Sequence, residues 1–347
     1  MTPALAEPPR GPVRTTDYHT AGEPFRIVTA GVPPLEGATV LQRRRWAGGH
    51  VDDVRRLLVN EPRGHADMYG CFVTPPNDDG ADLGVVFFHN EGYSTACGHG
   101  TIALVTWAIE SGRVAVVPGT RSAKVTVDVP SGRLVCTARL GEDGRVQAVR
   151  FRNVPSFVRA RDVAVNTSRG RLTPDVGYGG AFYASLDVRA VGLSVTPAAL
   201  PELIALQREL RPAIERAIKV VHPDEPDLHG IYGVIFWEPL DSDADGTVRQ
   251  RNVTVFADGE VDRSPCGSGT SARLAILHAR GELKVGQRLE HHSIVDSTFD
   301  GWVVEAGPKV GGHPTVITDV EGAAYRTGEH TFERDPRDPI GTGFLLR

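Results

Sequence analysis

The chain contains two copies of one short motif, and each copy places a cysteine before a glycine-rich turn. The first reads Ala-Cys-Gly-His-Gly-Thr-Ile-Ala around Cys97, and the second reads Pro-Cys-Gly-Ser-Gly-Thr-Ser-Ala around Cys266. Cys266 follows Cys97 by 169 residues, and Gly281 follows Gly112 by the same distance, which is close to half of the 347 residues. Such a repeat indicates a duplication in which each half presents one cysteine at a helix start.

The position of each cysteine predicts its chemistry. The first amides of a helix have no intrahelical acceptors, and the helix dipole is positive there. Such an end binds a carboxylate, and it lowers the pKa of a thiol to roughly 3.5–7.5 where further cations help. The glycine after each cysteine lets a ligand approach the backbone closely. If the two ends face each other, they provide two reactive sulfurs with a carboxylate site between them.

Length and composition are those of a soluble protein of two domains. Hydrophobic residues make up 40% of the chain and charged residues 23%, and the net charge is −5. No basic block is present, so we expect no nucleic-acid partner. No apolar run approaches the ~20 residues of a membrane span, so we expect no membrane partner. Four cysteines are too few for a disulfide framework in a chain of this length.

The first residues carry no signal-peptide pattern. Residues 1–13 are rich in proline and alanine without an apolar stretch, which indicates a flexible tail. The cytoplasm is therefore the expected location, and its reducing conditions suit free thiols.

Short strand-like runs with few helical segments predict an α+β fold. Helical spacing is present at residues 46–58, 101–110, 198–220 and from Cys266 to Gly281. Residues 39–41 are expected to form a strand or an edge, and a last short strand should follow residue 339. Because the helix at 101–110 is apolar on nearly every side, we expect each half to be a barrel-like sheet curled around a buried helix.

The expected division places residues 14–155 and 335–347 in a first domain and residues 156–334 in a second. Cys71 and Cys136 lie inside strand-like runs and are expected to be core residues. Both motif copies also fit the glycine fingerprint of dinucleotide sites, but neither lies in a clear parallel βαβ series, so no nucleotide is expected. No histidine or cysteine spacing is typical of a metal site, and none is predicted.

Two polar residues near the cysteines are candidates for substrate contacts. His99 lies between two glycines of an anion-binding turn, which favours a contact with substrate. Asp262, four residues before Cys266, could hold a cationic amine or cap a turn, and the sequence leaves both open.

Other candidates depend on the fold. Tyr69 and Phe256 could wall an apolar ring-binding pocket or pack in a core, and His229 is a looser candidate for the site. Arg63 and Arg263 are expected in structural ion pairs.

These motifs resemble the proline racemase family, whose members carry Cys-Gly-His in the first domain and Asp-Arg-Ser-Pro-Cys-Gly-(Ser/Thr)-Gly in the second. Here these are residues 97–99 and 262–269, and the stretches from His19 and Arg63 and the Thr-Gly-Phe at 342–344 also resemble it. The likeness covers nearly the whole chain. It implies a fold like that of diaminopimelate epimerase, with two pseudo-symmetric domains and a site in the cleft between them. It also implies no cofactor and a homodimer.

The resemblance implies inversion at the α-carbon of proline or hydroxyproline, as in a 4-hydroxyproline 2-epimerase or a proline racemase. Racemases and epimerases of this family keep both cysteines, as this chain does. Dehydratases of trans-3-hydroxy-L-proline usually replace the second cysteine with threonine. The stretches around His65 and Ser94 nevertheless resemble the dehydratase branch, so dehydration in the same pocket remains the alternative.

The expected mechanism uses the two cysteines as two bases on an imino acid. Cys97 as thiolate removes the α-proton, and Cys266 as thiol returns a proton to the other face. Asp262 holds the ring ammonium, with His99 assisting at the carboxylate. Main-chain amides of both motif copies would hold the carboxylate and its growing charge, at Gly98, His99, Gly267 and Ser268.

Three functions of other classes remain open. One is a cysteine hydrolase that pairs Cys97 with His99, although residues so close on a glycine turn rarely align for this. The others are a non-catalytic amino-acid-binding protein and a redox protein with a Cys97–Cys266 disulfide.

Overall fold

The computed structural model describes residues 11–241 and 246–346. Its five α-helices are α1 Val40–His50, α2 Asp52–Val59, α3 Gly98–Glu110, α4 Leu200–Ala217 and α5 Gly267–Ala279. Its strands are β1 Val13–Thr20, β2 Glu23–Ala30, β3 Tyr69–Thr74, β4 Leu83–His89, β5 Gly92–Tyr93, β6 Ser122–Val129, β7 Gly132–Leu140, β8 Val146–Arg152, β9 Ser156–Ala160, β10 Val165–Thr167, β11 Gly170–Leu172, β12 Asp175–Tyr178, β13 Phe182–Asp187, β14 Ile231–Pro239, β15 Val248–Phe256, β16 Glu260–Asp262, β17 Arg288–His292, β18 Thr298–Val310, β19 His313–Gly322 and β20 Ala324–Phe332.

The two halves repeat one arrangement of elements. Helices α3 and α5 both have 13 residues, and α5 begins and ends 169 positions after α3. In the first half β2 pairs in parallel with β3, and β4 with β6. In the second half β13 pairs in parallel with β14, and β15 with β17. The duplication predicted from the cysteine motifs is therefore a duplication of structure.

Each repeat forms a ring of strands around its own helix. In the second ring β9, β12, β13, β14, β15, β17, β18 and β19 pair in turn, and β19 closes on β9. In the first ring β20, β1, β2, β3, β4, β6, β7 and β8 pair in turn, and β8 then pairs with β19 of the second ring. The predicted α+β fold of two pseudo-symmetric halves is confirmed.

The last strand of each repeat joins the ring of the other repeat. Strand β9 ends the first repeat and pairs with β12 and β19 of the second ring. Strand β20 ends the second repeat and pairs with β1 of the first ring. The sheet therefore returns to the first half at β20. The expected division at 155/156 and 334/335 stays a prediction.

The central helices are buried as predicted. Eleven of the 13 residues of α3, and eleven of the 13 of α5, are buried. Helix α3 packs inside the first ring and α5 inside the second. A helix without a polar face cannot lie on a surface, so each is surrounded by strands. In the described ranges, no helix is both long enough and apolar enough to cross a membrane.

Two local predictions are wrong. Residues 39–41 form no strand, because Thr39 caps α1 and exchanges side-chain and backbone hydrogen bonds with Gln42. The last short strand is reduced to a single bridge between Phe344 and Glu61. The other predicted helices occur with shifted ends: the pattern at 46–58 is two helices, and α4 ends at Ala217.

The starts of α3 and α5 touch at their first glycines. A Cβ added to Gly98 would lie 2.4 Å from Cα of Gly267, and one added to Gly267 would lie 2.7 Å from Cα of Gly98. Both distances are far below van der Waals contact, and the obstacle is backbone, which cannot rotate away. Only glycine at both positions allows the two helix ends to meet.

We predict that Gly98→Ala destabilises the protein by about 1–3 kcal/mol, because the methyl group must push the two helix starts apart. Gly49→Ala is the matched control, since a Cβ at Gly49 of helix α1 meets nothing within 4 Å. It should be neutral or stabilise by up to about 1 kcal/mol. Urea unfolding measures both. Equal unfolding midpoints for the two variants would contradict the contact.

Candidate active site

Cys97 is the residue that caps the start of α3. Its backbone is extended, with φ −153°, and its sulfur accepts the N–H of Gly100 at 3.2 Å. The first hydrogen bond of the helix runs from the Thr101 N–H to the Cys97 carbonyl at 2.9 Å. Cys97 thus lies where helix-start amides point at a negative charge, as predicted.

Cys266 occupies the same position on α5 but has a different backbone. Its φ is +63°, a region that a non-glycine residue rarely occupies. The preceding loop holds this conformation: Ser264 Oγ accepts the Cys266 N–H at 3.1 Å and donates to Asp262 Oδ1 at 2.7 Å. Asn252 Nδ2 donates to the Pro265 carbonyl at 3.1 Å. These hydrogen bonds hold the unfavourable backbone conformation of Cys266 in place, as is common at functional sites.

His99 and Asp262 meet between the two cysteine motifs. His99 Nδ1 lies 3.8 Å from Asp262 Oδ2, and both side chains are buried. The imidazole nitrogens lie 3.4 and 3.6 Å from the Cys97 sulfur. The rings of Tyr69 and Phe25 contact His99 edge-on, with centroid distances of 4.9 and 5.7 Å. Four of the predicted residues, from both halves, are thereby brought into one cluster.

The free thiols are less acidic than their position predicts. Burial raises the pKa of Cys97 well above its usual value, and the charge of Asp262 raises it further. The hydrogen bond from the Gly100 amide lowers this pKa but does not outweigh burial. Burial raises the pKa of Cys266 to about 12, and Asp262 again adds to this. The expectation of acidic thiols is wrong, because each cysteine is only 5% exposed. Desolvation outweighs the helix end.

An ion-pair cluster joins the halves beside the site. Arg263 Nη2 lies 3.0 Å from Asp67 Oδ2, and the Arg263 N–H donates to Glu23 Oε2 at 2.7 Å. Burial, followed by the charge of Asp262, raises the pKa of Glu23 well above its usual value. Arg63 pairs with Asp338 at 3.5 Å. The predicted ion-pair roles of Arg63 and Arg263 are confirmed.

A cavity of about 650 Å³ is lined by residues 91–95 and 227–232, among others. Its lining includes Thr95, two residues before Cys97, and Ala181, which belongs to the same buried cluster as Cys266. His229 lines it with an exposed side chain. The two cysteines, His99 and Asp262 do not line the cavity, which is related to the half-sites through these neighbouring residues.

Three hydroxyl groups meet at the inner side of this cavity. Tyr69 donates to Ser94 Oγ, and the hydroxyls of Tyr69 and Tyr232 lie 2.9 Å apart. Phe256 stacks on Tyr232 with centroids 5.3 Å apart and lies 6.0 Å from Tyr69. Tyr69 and Phe256 therefore pack in the core, each 2% exposed, and do not line the cavity themselves. The hydroxyl of Tyr69 bonds to the lining residues Ser94 and Tyr232.

Sequence reasoning missed Glu23, Ser94, Tyr183 and Tyr232. The Tyr183 hydroxyl lies 3.7 Å from the Cys266 sulfur and 2.7 Å from Ser268 Oγ. The strand pattern of 182–187 shows that one face is buried, but not that this face meets the second motif. Cys71 and Cys136 are free, fully buried core residues, as expected.

The arrangement places groups capable of acid–base chemistry together. Two thiols precede two helices that touch at their first glycines, and the Asp262 carboxylate lies 3.8 Å from His99. In residues 11–241 and 246–346, no three His, Cys, Asp or Glu side chains gather closely enough to hold a metal ion.

Comparison with known proteins gives close matches over the full length. A 3-hydroxyproline 2-epimerase of Burkholderia multivorans is 47% identical over 336 residues, 96% of this chain and 98% of that protein. A trans-3-hydroxy-L-proline dehydratase of Bacillus cereus is 45% identical over 336 residues, 96% of this chain and 97% of that protein. A crystal structure of a hydroxyproline epimerase from Agrobacterium vitis, with bound trans-4-hydroxy-L-proline, superimposes with a TM-score of 0.87 at 33% identity over 97% of this chain and 96% of that one.

A family model described as proline racemase matches residues 15–345. The match includes both cysteine motifs and both rings of strands. The chain belongs to the proline racemase family.

Proposed function

We propose that this protein inverts the α-carbon of proline or a hydroxyproline without a cofactor, with Cys97 and Cys266 as the two bases. The contact between Gly98 and Gly267 is the observation that carries the proposal. Each cysteine directly precedes one of the touching glycines, so the two sulfurs lie near the same point in the protein. Inversion needs a group on each face of the α-carbon, which two facing helix starts supply.

The substrate carboxylate binds at the helix starts in this mechanism. The first amides of both helices, at Gly98, His99, Gly267 and Ser268, hold the carboxylate and stabilise the enediolate-like charge that grows on it. Asp262 binds the ring ammonium, with His99 beside it. One cysteine takes the α-proton as thiolate while the other, as thiol, donates one to the opposite face.

Substrate binding itself would lower the high pKa of the thiols. Asp262 raises the pKa of both cysteines through its negative charge. A ring ammonium bound to Asp262 neutralises that charge and adds a cation near both sulfurs, which favours the thiolate. The catalytic base then forms when the substrate is bound.

The hydroxyl cluster of Tyr69, Ser94 and Tyr232 supports a hydroxylated ring as the substrate. The Tyr69 hydroxyl is hydrogen-bonded to both Ser94 and Tyr232. A hydroxyl on the substrate ring that reaches these groups would form hydrogen bonds with them. Unsubstituted proline cannot form these bonds, so hydroxyproline should be preferred over proline.

The same cluster supports the alternative reaction. A phenol that donates to a 3-hydroxyl group helps that group to leave as water once the α-proton has been removed. The product is then an unsaturated ring, and Cys266 need only assist. The relative named as a trans-3-hydroxy-L-proline dehydratase is consistent with this reaction.

Proton NMR in D2O distinguishes the reactions. The protein is incubated with L-proline, trans-4-hydroxy-L-proline and trans-3-hydroxy-L-proline. The proposal expects deuterium at the α-carbon together with the inverted isomer. Loss of water with 3-hydroxyproline alone would establish the dehydratase, and neither α-exchange nor loss of water with any of the three would refute both.

We predict that Cys97→Ser and Cys266→Ser each reduce inversion roughly 100- to 10,000-fold, because one of the two positioned proton-transfer groups is lost. Inversion is followed by polarimetry. Cys136→Ala, in the core of β7, is the matched control and should keep inversion. Inversion by Cys266→Ser at the parent rate would rule out the two-base assignment.

Asp262→Asn should change thiol reactivity and catalysis in opposite directions. Without the charge of Asp262 the pKa of both thiols falls, so the thiolate fraction at a fixed pH rises and iodoacetamide reacts faster. The ammonium loses its partner, so kcat/KM falls roughly ten- to hundredfold. Slower alkylation in Asp262→Asn would contradict the electrostatic argument.

Tyr232→Phe should reduce the preference for hydroxylated over unsubstituted proline about tenfold, as expected for one lost hydrogen bond in a site built for it. The measurement is the ratio of kcat/KM for the two substrates. Tyr325→Phe removes an exposed phenol far from the cluster and serves as the control. An unchanged ratio in Tyr232→Phe would place the ring hydroxyl elsewhere.

A further inference from the structure

The two half-sites differ in what lies beside each sulfur. In the first half, Phe25 on β2 lies near Cys97. A Cβ added to Gly100 would lie 2.4 Å from the Phe25 ring and 2.7 Å from the Cys97 sulfur. In the second half, Tyr183 on β13 faces Cys266, with its hydroxyl 3.7 Å from the sulfur. The duplication is therefore chemically unequal at this position.

We propose that the Tyr183 hydroxyl is a hydrogen-bonding partner of the Cys266 sulfur that stabilises its thiolate, so that the two halves of the site ionise unequally. Tyr183 is fully buried, and its hydroxyl is held 2.7 Å from Ser268 Oγ at the start of α5. The phenol is thereby fixed against the sulfur and cannot turn to solvent.

The hydroxyl suits both protonation states of the cysteine. As a thiol, Cys266 donates its S–H to the phenol oxygen, and the phenol proton can point to Ser268. As a thiolate, Cys266 accepts the phenol O–H instead. The phenol keeps its own proton in both states, because burial, and then the charge of Cys266, raises the pKa of Tyr183 well above its usual value. No net proton moves to Tyr183; only the direction of the hydrogen bonds reverses.

Other groups also act on the ionisation of the two cysteines. Asp262 on β16 opposes the Cys266 thiolate, as does a thiolate at Cys97 on the facing helix. The Gly269 amide favours it, but the Gly100 amide does the same for Cys97, so these two contributions are matched. Thr254 on β15 also favours the Cys266 thiolate, and the His99 nitrogens lie 3.4 and 3.6 Å from the Cys97 sulfur. Tyr183 differs from these groups in its position, because it places a hydroxyl against Cys266 where the first half-site has the ring of Phe25.

The consequence for turnover rests on the proposed function. If the resting enzyme holds its thiolate on Cys266, it is poised for the isomer whose α-proton faces Cys266. The opposite isomer must wait for the proton to move to the other sulfur. The stabilisation of the thiolate itself does not depend on any substrate.

The test compares the two cysteines within one molecule. Full-length protein is treated briefly with iodoacetamide at one pH below the titration range of the thiols, and peptide mass spectrometry gives the ratio of alkylation at Cys266 to that at Cys97. Tyr183→Phe keeps the ring and removes the donor, so the ratio should fall roughly tenfold or more, as for a lost hydrogen bond to a charged group. Tyr178→Phe, which removes a buried phenol with no contact to sulfur, should leave the ratio unchanged.

A ratio that stays constant or rises in Tyr183→Phe would overturn the proposal. If that variant is unstable because the Ser268 hydroxyl loses its partner, the double variant with Ser268→Ala removes both hydroxyls and must give the same fall. Turnover gives an independent readout: Tyr183→Phe should shift the pH profile of kcat/KM to higher pH, whereas a purely structural role would reduce it at all pH values. Absence of α-exchange in the parent protein would refute the proposed function and leave the alkylation result standing.

Discussion

The contact of two helix starts at Gly98 and Gly267 determines the geometry of the site. The helices belong to different rings of strands, and their backbones approach so closely that no side chain fits between them. Each ring surrounds its own helix, and the exchanged strands β9 and β20 join the rings together. The cysteines precede the touching glycines, so they cannot be far apart while the fold is intact. The first main-chain amides of both helices are brought together in the same way.

Burial at this contact has an electrostatic effect as well as a geometric one. The helix starts favour a negative charge, but the same close packing removes water from the sulfurs and raises the pKa of both thiols. Asp262 opposes ionisation further until a cation neutralises it. In the proposed mechanism the site becomes basic when a zwitterionic imino acid enters. Reactive thiolates would then be exposed only to a molecule that carries both a carboxylate and an ammonium group.

The duplicated sequence predicted much of this architecture because it is a local signal repeated at a fixed distance. The helix starts, the buried helices and the grouping of His99 and Asp262 with the cysteines follow from the two motifs. The exchange of β9 and β20 could not be predicted, since alternation shows that a strand is half-buried but not against which helix. Tyr183 and Tyr232 were missed for the same reason: their contacts cross between strands far apart in sequence.

Two errors had different causes. The sequence signal for a strand at 39–41 was weaker than the capping hydrogen bonds that Thr39 makes with Gln42. The acidity of the thiols was misjudged because a helix start is visible in the sequence, whereas the exclusion of water depends on how the two halves close. Position along the chain predicts the direction of the local dipole, and only the folded structure supplies the desolvation that opposes it.

The most direct test of two bases on one substrate is the isotope content of both isomers at low conversion in D2O. When one sulfur removes the α-proton and the other delivers a proton of its own, the inverted product carries deuterium while the remaining substrate keeps its original hydrogen. The account predicts this distribution in the first few per cent of reaction. Protium carried from the substrate into the inverted product would show that one group serves both faces, and it would contradict the account.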